Sequence, residues 1–297
     1  MNGDRLPPSA VILPADSQPE RRPLVLKDGY ETGVYIHRPH TVNSGVCPVL
    51  FLHGIQSHPG WYYGTARALA DTGFTVYQPV RRGSGENGAG RGDADSSRAL
   101  LEDINTAAEF VASDSGKDRI QLLGVSWGGK LLAAYSTWGG RKRSAASLTM
   151  IAPGIAAKVS PGPIVKCGIA FSVFFNPSRM YSIPLSDPAL FTDNPRMQEY
   201  IAADRYSLRK ATARFLFISR SLDRRILKSP AGSIDLPVTL VLSLRDRIID
   251  NEACEREVRR LAGDDIHVET LAGAHTLEFE EDPAPFYRAV VDGVLRG

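Results

Sequence analysis

Ile120-Gln121-Leu122-Leu123-Gly124-Val125-Ser126-Trp127-Gly128-Gly129 decides the architecture of this 297-residue chain. The run Ile120 to Leu123 reads as a short buried strand, and a helical pattern follows from Gly128 to Thr137. Between them stands G-x-S-x-G, a serine on a strand-to-helix turn. Such a turn puts the serine in a strained backbone conformation, so its neighbours must lack side chains that would collide. The helix start behind it offers N–H groups and positive potential to a developing oxyanion. An ordinary glycine-rich strand-to-helix turn is the bland alternative. Strand, turn and helix together favour the nucleophile.

Outward from this turn the chain alternates apolar runs with helical patterns. Strands are expected at Val49–Leu52, Thr75–Tyr77, Ser147–Ile151, Val238–Leu242 and His267–Thr270. Helices are expected at Trp61–Thr72, Ser96–Ala112, Asn251–Ala262 and Pro283–Leu295. Continuous apolar strands with helices between them predict an α/β fold, a mostly parallel sheet covered on both faces. Two further strand-like segments, Pro23–Leu26 and Tyr30–His37, flank the hairpin signal Asp28-Gly29.

The alternation stops from about Gly154 to Asp235, where prolines, the apolar run Ile164–Phe175 and a helical pattern over Met197–Ser221 occur. A structureless loop of that length is rare in a compact domain, which predicts an inserted helical cap. The expected organisation is a loose arm over 1–22, a core from 23–153 and 236–297, and a cap over 154–235. The run Ile164–Phe175 is too apolar for a solvated loop. It must pack on the core or line a pocket, and its place in the insertion favours the pocket, lined by Phe171, Phe174 and Phe175.

Composition excludes several classes. The 35 Lys and Arg nearly balance the 33 Asp and Glu, for a net charge of +2, so no nucleic-acid footprint appears. The tightest basic cluster, Arg141-Lys142-Arg143, reads as a solvated turn after a helix. Three scattered cysteines, Cys47, Cys167 and Cys254, make neither a disulfide framework nor a metal-ligand spacing. No apolar run reaches the ~20 residues needed to span a bilayer, and the N-terminus lacks a secretion-signal pattern. A cytoplasmic protein without stable membrane span, metal or cofactor is the expectation; the oligomeric state stays open.

Two decoys overlap these motifs. Gly124 to Lys130 also spells G-x-x-x-x-G-K, but Leu131 stands where a phosphate-binding loop needs Ser or Thr. Gly83 to Gly88 spells G-x-G-x-x-G, but no helix opens there, and a mobile loop is the better account.

A serine hydroxyl needs an imidazole base, itself oriented by a carboxylate. On folds with this turn the chain order is Ser, acid, His, on loops after late strands. Of six histidines only His267 and His275 come late enough. His267 falls inside a strand pattern, whereas His275 follows it in Gly273-Ala274-His275-Thr276. Asp246 follows the strand Val238–Leu242; its rival Asp250 stands where it would cap the next helix. The expected triad is Ser126, Asp246 and His275. The oxyanion donors would be the amides of Trp127 and of Ile55, in the loop after Val49–Leu52. His53, at a strand end, is expected to fix that loop by hydrogen bonding rather than act as a base.

Phe51-Leu52-His53-Gly54-Ile55-Gln56-Ser57-His58-Pro59-Gly60-Trp61-Tyr62 resembles the H-G-x-x-x-H-x-G-x-Y segment of monoacylglycerol lipases and lysophospholipase-like, serine aminopeptidase-type hydrolases. Gly124–Gly129, the acid loop around Asp246 and Gly273–His275 are similar to the same family's motifs. Ile183–Pro188 and Arg209–Phe215 look like the cap of its bacterial members. The resemblance spans roughly residues 30 to 295. It implies an α/β-hydrolase fold with a cap, and cofactor-free hydrolysis of a carboxylic ester, monoacylglycerol-like or another small acyl ester, through an acyl-enzyme. The same triad would serve an amidase, aminopeptidase or thioesterase, and the fold also carries non-catalytic binding proteins. Two features depart from the family: Val80-Arg81-Arg82 before the glycine turn, where an acidic residue is usual, and Trp127, where methionine is common.

Overall fold

The computed structural model describes residues 9–41, 43, 45–140 and 144–297, with Ser144 described by its backbone alone. Arg141-Lys142-Arg143 therefore lie outside the described residues. In chain order the elements are β1 (Glu20–Val25), β2 (Glu31–His37), β3 (Val49–Leu52), α1 (Tyr63–Asp71), β4 (Val76–Pro79) and α2 (Ser97–Ser115). Next come β5 (Arg119–Val125), α3 (Trp127–Ser136), β6 (Ser144–Ile151), α4 (Pro163–Phe175), β7 (Met180–Ser182) and α5 (Pro195–Ala203). The chain closes with β8 (Lys210–Thr212), α6 (Ala213–Lys228), β9 (Val238–Ser243), α7 (Asn251–Ala262), β10 (Ile266–Leu271) and α8 (Ala284–Leu295).

Eight strands form one sheet in the order β1-β2-β4-β3-β5-β6-β9-β10. The hairpin β1–β2 joins antiparallel to β4, and every pair from β4 to β10 is parallel. This is the α/β-hydrolase fold. The apolar runs become its centre for a physical reason: β3 and β9 are buried at every position, and β5 at all but Arg119. Strands covered on both faces have no solvent side to leave polar. At the hairpin, Gly29 takes φ +85°, and Asp28 Oδ1 accepts a bond from Tyr30 N–H at 3.1 Å.

The chain between β6 and β9 adds no strand to this sheet; its β7 and β8 pair with each other. The helical pattern over Met197–Ser221 resolves into α5 and α6 with β8 between them. Asp204 ends the first helix in an extended conformation, and Thr212 Oγ1 caps the second by accepting from Phe215 N–H at 3.0 Å. Among the described residues no helix is long and apolar enough to cross a membrane.

Candidate active site

In a parallel sheet the loops leaving the C-terminal strand ends converge along one edge. Ser126 leaves β5, Ile55 lies in the loop after β3, Asp246 follows β9 and His275 follows β10.

Ser126 has φ +52° and ψ −118°, a backbone region that side chains rarely occupy. Its surroundings hold it there. Ser126 N–H donates to Ile151 O at 2.8 Å, while its carbonyl accepts from Lys130 N–H at 3.1 Å and Gly154 N–H at 2.8 Å. A Cβ on Gly128 would collide with the Leu52 carbonyl, and one on Gly124 would lie 2.8 Å from Gly128 backbone atoms. The two glycines of G-x-S-x-G thus let α3 start directly against β3 and β5. Trp127 is the first residue of α3, so its N–H has no carbonyl one turn back to bond.

Asp246 and His275 are brought together. His275 Nδ1 lies 2.8 Å from Asp246 Oδ2, and both side chains are buried. Asp246 Oδ1 accepts from Ile248 N–H at 2.7 Å and Ile249 N–H at 2.8 Å. Burial works to raise the Asp246 pKa, but the charge and hydrogen bond of His275 and the two amides outweigh it and hold the carboxyl below its ordinary value. Asp250 caps α7 by accepting from Ala253 N–H at 3.0 Å. His267 remains on β10, 4.0 Å from Glu269.

The loop after β3 is braced from behind. Gly54 N–H donates to Ser57 Oγ at 2.9 Å, and a Cβ on Gly54 would sit 3.4 Å from Ser126 Cβ. His53 Nδ1 bonds Gly54 O at 2.9 Å, and its Nε2 accepts from Arg81 N–H at 3.1 Å. Burial and the nearby Arg81 charge push its pKa well below the ordinary value, so His53 is a neutral brace. Arg81 donates to Ile55 O at 2.8 Å, and its guanidinium carbon lies 4.7 Å from the Trp127 ring centre and 5.4 Å from that of Phe215. One cation therefore ties together the Ile55 loop, the indole beside Ser126 and α6.

A cavity of about 670 Å³ opens at Ser126, Ile55 and Trp127. Its far wall comes from α4 (Lys166, Ile169, Ala170), from α6 (Leu216, Phe217, Ser219) and from Ile248 and Ile249. The expectation that Phe171, Phe174 and Phe175 line this pocket is corrected here. They are 62%, 83% and 73% exposed, and none of them touches the cavity. The run forms a helix, and at 3.6 residues per turn Phe171 and Phe175 fall on the side opposite 166, 169 and 170, while Phe174 follows Ala170 by one turn, in the helix's last turn, and is not among the lining residues.

Three arrangements, the first of them in the cavity wall, escaped sequence reasoning. Lys130 is buried on apolar α3 and pairs with Asp223 of α6 at 2.7 Å. A charge directly before the apolar run Leu131-Leu132-Ala133-Ala134 was the available signal, since a buried lysine demands a partner. Asp204 Oδ2 accepts from Trp61 Nε1 at 2.8 Å and Ser207 Oγ at 2.8 Å, and lies 3.1 Å from His58 Nε2. Burial opposes its ionisation, yet these partners, His58 foremost, hold its pKa down to about 2. Glu278, on the turn after His275, receives Thr65 N–H at 3.1 Å and the Thr65 hydroxyl at the start of α1. Burial pushes its pKa up to about 8.

The profile of the serine aminopeptidase (S33) family matches residues 47–282. The chain belongs to this family. It is a serine hydrolase with the α/β-hydrolase fold. It is similar to a monoacylglycerol lipase of Mycolicibacterium smegmatis, 26% identical over 263 residues, covering 86% of this chain and 88% of the relative. Among solved structures it resembles monoglyceride lipase of Saccharomyces cerevisiae, with TM-score 0.83, 16% identity, and coverage of 97% of this chain and 98% of that one. Monoacylglycerol lipase of Paleococcus ferrophilus superposes with TM-score 0.75 at 21% identity, covering 89% and 98%.

Proposed function

We propose that the chain cleaves carboxylic acyl esters through an acyl-enzyme on Ser126, with His275 as base and Asp246 as its orienting carboxylate. The observation that carries this reading is the buried Asp246–His275 pair on the strand edge that also carries Ser126 in its strained turn. With Nδ1 bonded to Asp246, the His275 Nε2 atom is the one left to take the serine proton. Ser126 Oγ would attack the ester carbonyl, and the amides of Trp127 and Ile55 would receive the oxyanion. His275 would return the proton to the departing alkoxide, and water would release the acid by the same steps. Residues 154–235 would serve as the cap over this site.

Monoacylglycerol-like esters suit the apolar wall of Ile169, Ala170, Leu216 and Phe217, and the similar proteins named above are lipases of that class. An aminopeptidase reading, suggested by the family's description, meets an obstacle in this cavity. A free α-amino group would face Lys130, Lys166, Arg220 and Arg224, with one carboxylate, Asp223, already paired to Lys130. Esters are therefore favoured over amino-terminal peptides.

Ser126→Ala tests the reading. Turnover of 4-nitrophenyl butyrate should fall by about 10⁶-fold, the cost of deleting a triad serine. Covalent labelling by a fluorophosphonate should vanish while the circular dichroism spectrum is unchanged. Labelling that persists in this variant would move the nucleophile elsewhere.

A further inference from the structure

Acidic residues are distributed unevenly along this chain. It carries 33 Asp and Glu, yet none occurs between Asp118 and Asp187. That interval supplies Ser126 and α3, β6, the loop that follows it and α4, and hence much of the cavity wall. The cavity inherits the asymmetry. Among the described residues, Lys130, Lys166, Arg220 and Arg224 line it against the single carboxylate of Asp223.

That carboxylate is committed. Asp223 lies 2.7 Å from Lys130 Nζ and 3.6 Å from Arg220. Lys166 donates to the neutral Ser160 Oγ at 3.1 Å, and the Arg224 guanidinium carbon lies 5.9 Å from the Phe217 ring centre. Both cations can take a further anion without giving up a carboxylate. A protein with a net charge of only +2 thus gathers positive charge at one cavity, whose remaining walls are apolar apart from Ser126, Ser160 and Ser219. A cleft lined by one sign of charge focuses its field and draws ligands of the opposite sign.

We infer that the preferred substrate is an acyl ester that itself carries an anionic group, a carboxylate or a phosphate, held by Arg224, Lys166 and Arg220 while the ester lies at Ser126. This rests on the ester-hydrolase reading and refines it. The apolar wall takes the hydrocarbon, and the cations at the α4–α6 side take the charge. Guanidinium groups suit both oxyanions because their N–H donors match the geometry of carboxylate and phosphate.

The test compares matched substrates on the full-length protein. One arm charges the acyl side: the 4-nitrophenyl hemi-ester of suberic acid against 4-nitrophenyl octanoate. The other charges the alcohol side: 1-acylglycerol 3-phosphate against the 1-acylglycerol of the same chain. In at least one arm kcat/KM should be about tenfold higher for the anionic member at low salt, with the ratio shrinking as ionic strength rises. The arm that responds identifies which side of the ester carries the charge. Arg224→Glu should bring that ratio to one or below, and Arg224→Gln should give an intermediate ratio. Both variants change an exposed side chain, and their melting curves report whether folding is intact. Neutral esters turned over as fast as or faster than anionic ones in both arms would overturn this inference and leave the hydrolase reading standing. So would a ratio unmoved by Arg224→Glu. Failure to hydrolyse any ester, with no fluorophosphonate label on Ser126, would instead remove the hydrolase reading and this inference with it.

Discussion

The two walls of the cavity are fixed by different means. On the strand-edge side, backbone fits against backbone: Gly124 and Gly128 leave no room for a Cβ, and Ser126 is held at φ +52° by bonds from its own peptide groups. On the facing side, residues 154–235 are tied down mainly by side-chain pairs, beside scattered backbone bonds such as Leu208 N–H to Gln56 O and Thr212 N–H to Gly92 O. Trp127 Nε1 donates to Ser219 Oγ at 2.9 Å, Lys130 meets Asp223, and Asp204 gathers Trp61, His58 and Ser207. A wall built from backbone geometry restricts which residue types can occupy it. A wall built from side-chain pairs leaves the surrounding positions free to vary, which is where differences in substrate can be encoded. This contrast predicts that damage to the first wall is felt in kcat, and damage to the second in stability and selectivity.

The largest effect expected within that contrast is on the acid. Asp246→Asn should lower kcat by roughly 10⁴-fold, as when a triad carboxylate becomes an amide that favours the wrong imidazole tautomer. Asp250→Asn, four residues along, should cost at most ~1 kcal/mol in denaturant unfolding and leave kcat alone, because asparagine also caps helices well. The opposite ranking would reassign the carboxylate.

Next comes the brace behind the Ile55 loop, the proposed oxyanion loop. Arg81→Met keeps an apolar stem near Trp127 but loses the bond to Ile55 O. The loss of a charged hydrogen bond should lower kcat/KM roughly tenfold to a hundredfold, seen mainly in kcat if the loop it steadies carries the proposed oxyanion donor Ile55. A change confined to KM would show that Arg81 serves the cavity wall instead.

This contrast also explains what the sequence revealed. The Ser126 turn, the parallel sheet, the Asp246 and His275 loops and the bracing of the loop by His53 were readable, because strand burial and a tight turn dictate residue types at short range. The position of Arg81 was visible only as a departure from the family pattern. Its role depends on Trp127 and Phe215, which meet it only in the folded chain. The exposure of Phe171, Phe174 and Phe175 was misjudged for a related reason. An apolar run tells that a helix has apolar faces, but only packing tells which face turns inward. Asp204 and Glu278 were missed because their partners, His58 and Thr65, lie far away in sequence.

Those two carboxylates should give opposite pH signatures. The Asp204 pKa is lowered from 3.8 to about 2, so its stabilisation is present above about pH 4 and lost as pH falls toward 2. The Glu278 pKa is raised from 4.5 to about 8; the unfolded chain releases that proton first, so stability falls as pH rises from about 4.5 to 8. Melting temperatures measured across pH should show the acid limb flattened in Asp204→Asn and the neutral-to-alkaline decline flattened in Glu278→Gln. An unchanged profile in either variant would detach that carboxylate from the pH dependence.

The smallest effect concerns α4, where residues that line the cavity can be set against one that does not. Phe174 is 83% exposed and lines no part of the cavity, whereas Ile169 and Ala170 do. Phe174→Ser should therefore change stability by no more than about 0.5 kcal/mol, the usual range for a surface position. It should also leave the preference among 4-nitrophenyl esters of different acyl length where it was. Ile169→Ala removes apolar contact from the wall and should shift that preference toward bulkier or longer acyl groups, with each methylene of contact worth about 0.8 kcal/mol. For scale, Phe215→Ala, in the buried stack with Trp127 and Arg81, should cost ~3–5 kcal/mol. A chain-length shift in Phe174→Ser, with none in Ile169→Ala, would mean that α4 meets the substrate through its last turn rather than through Ile169.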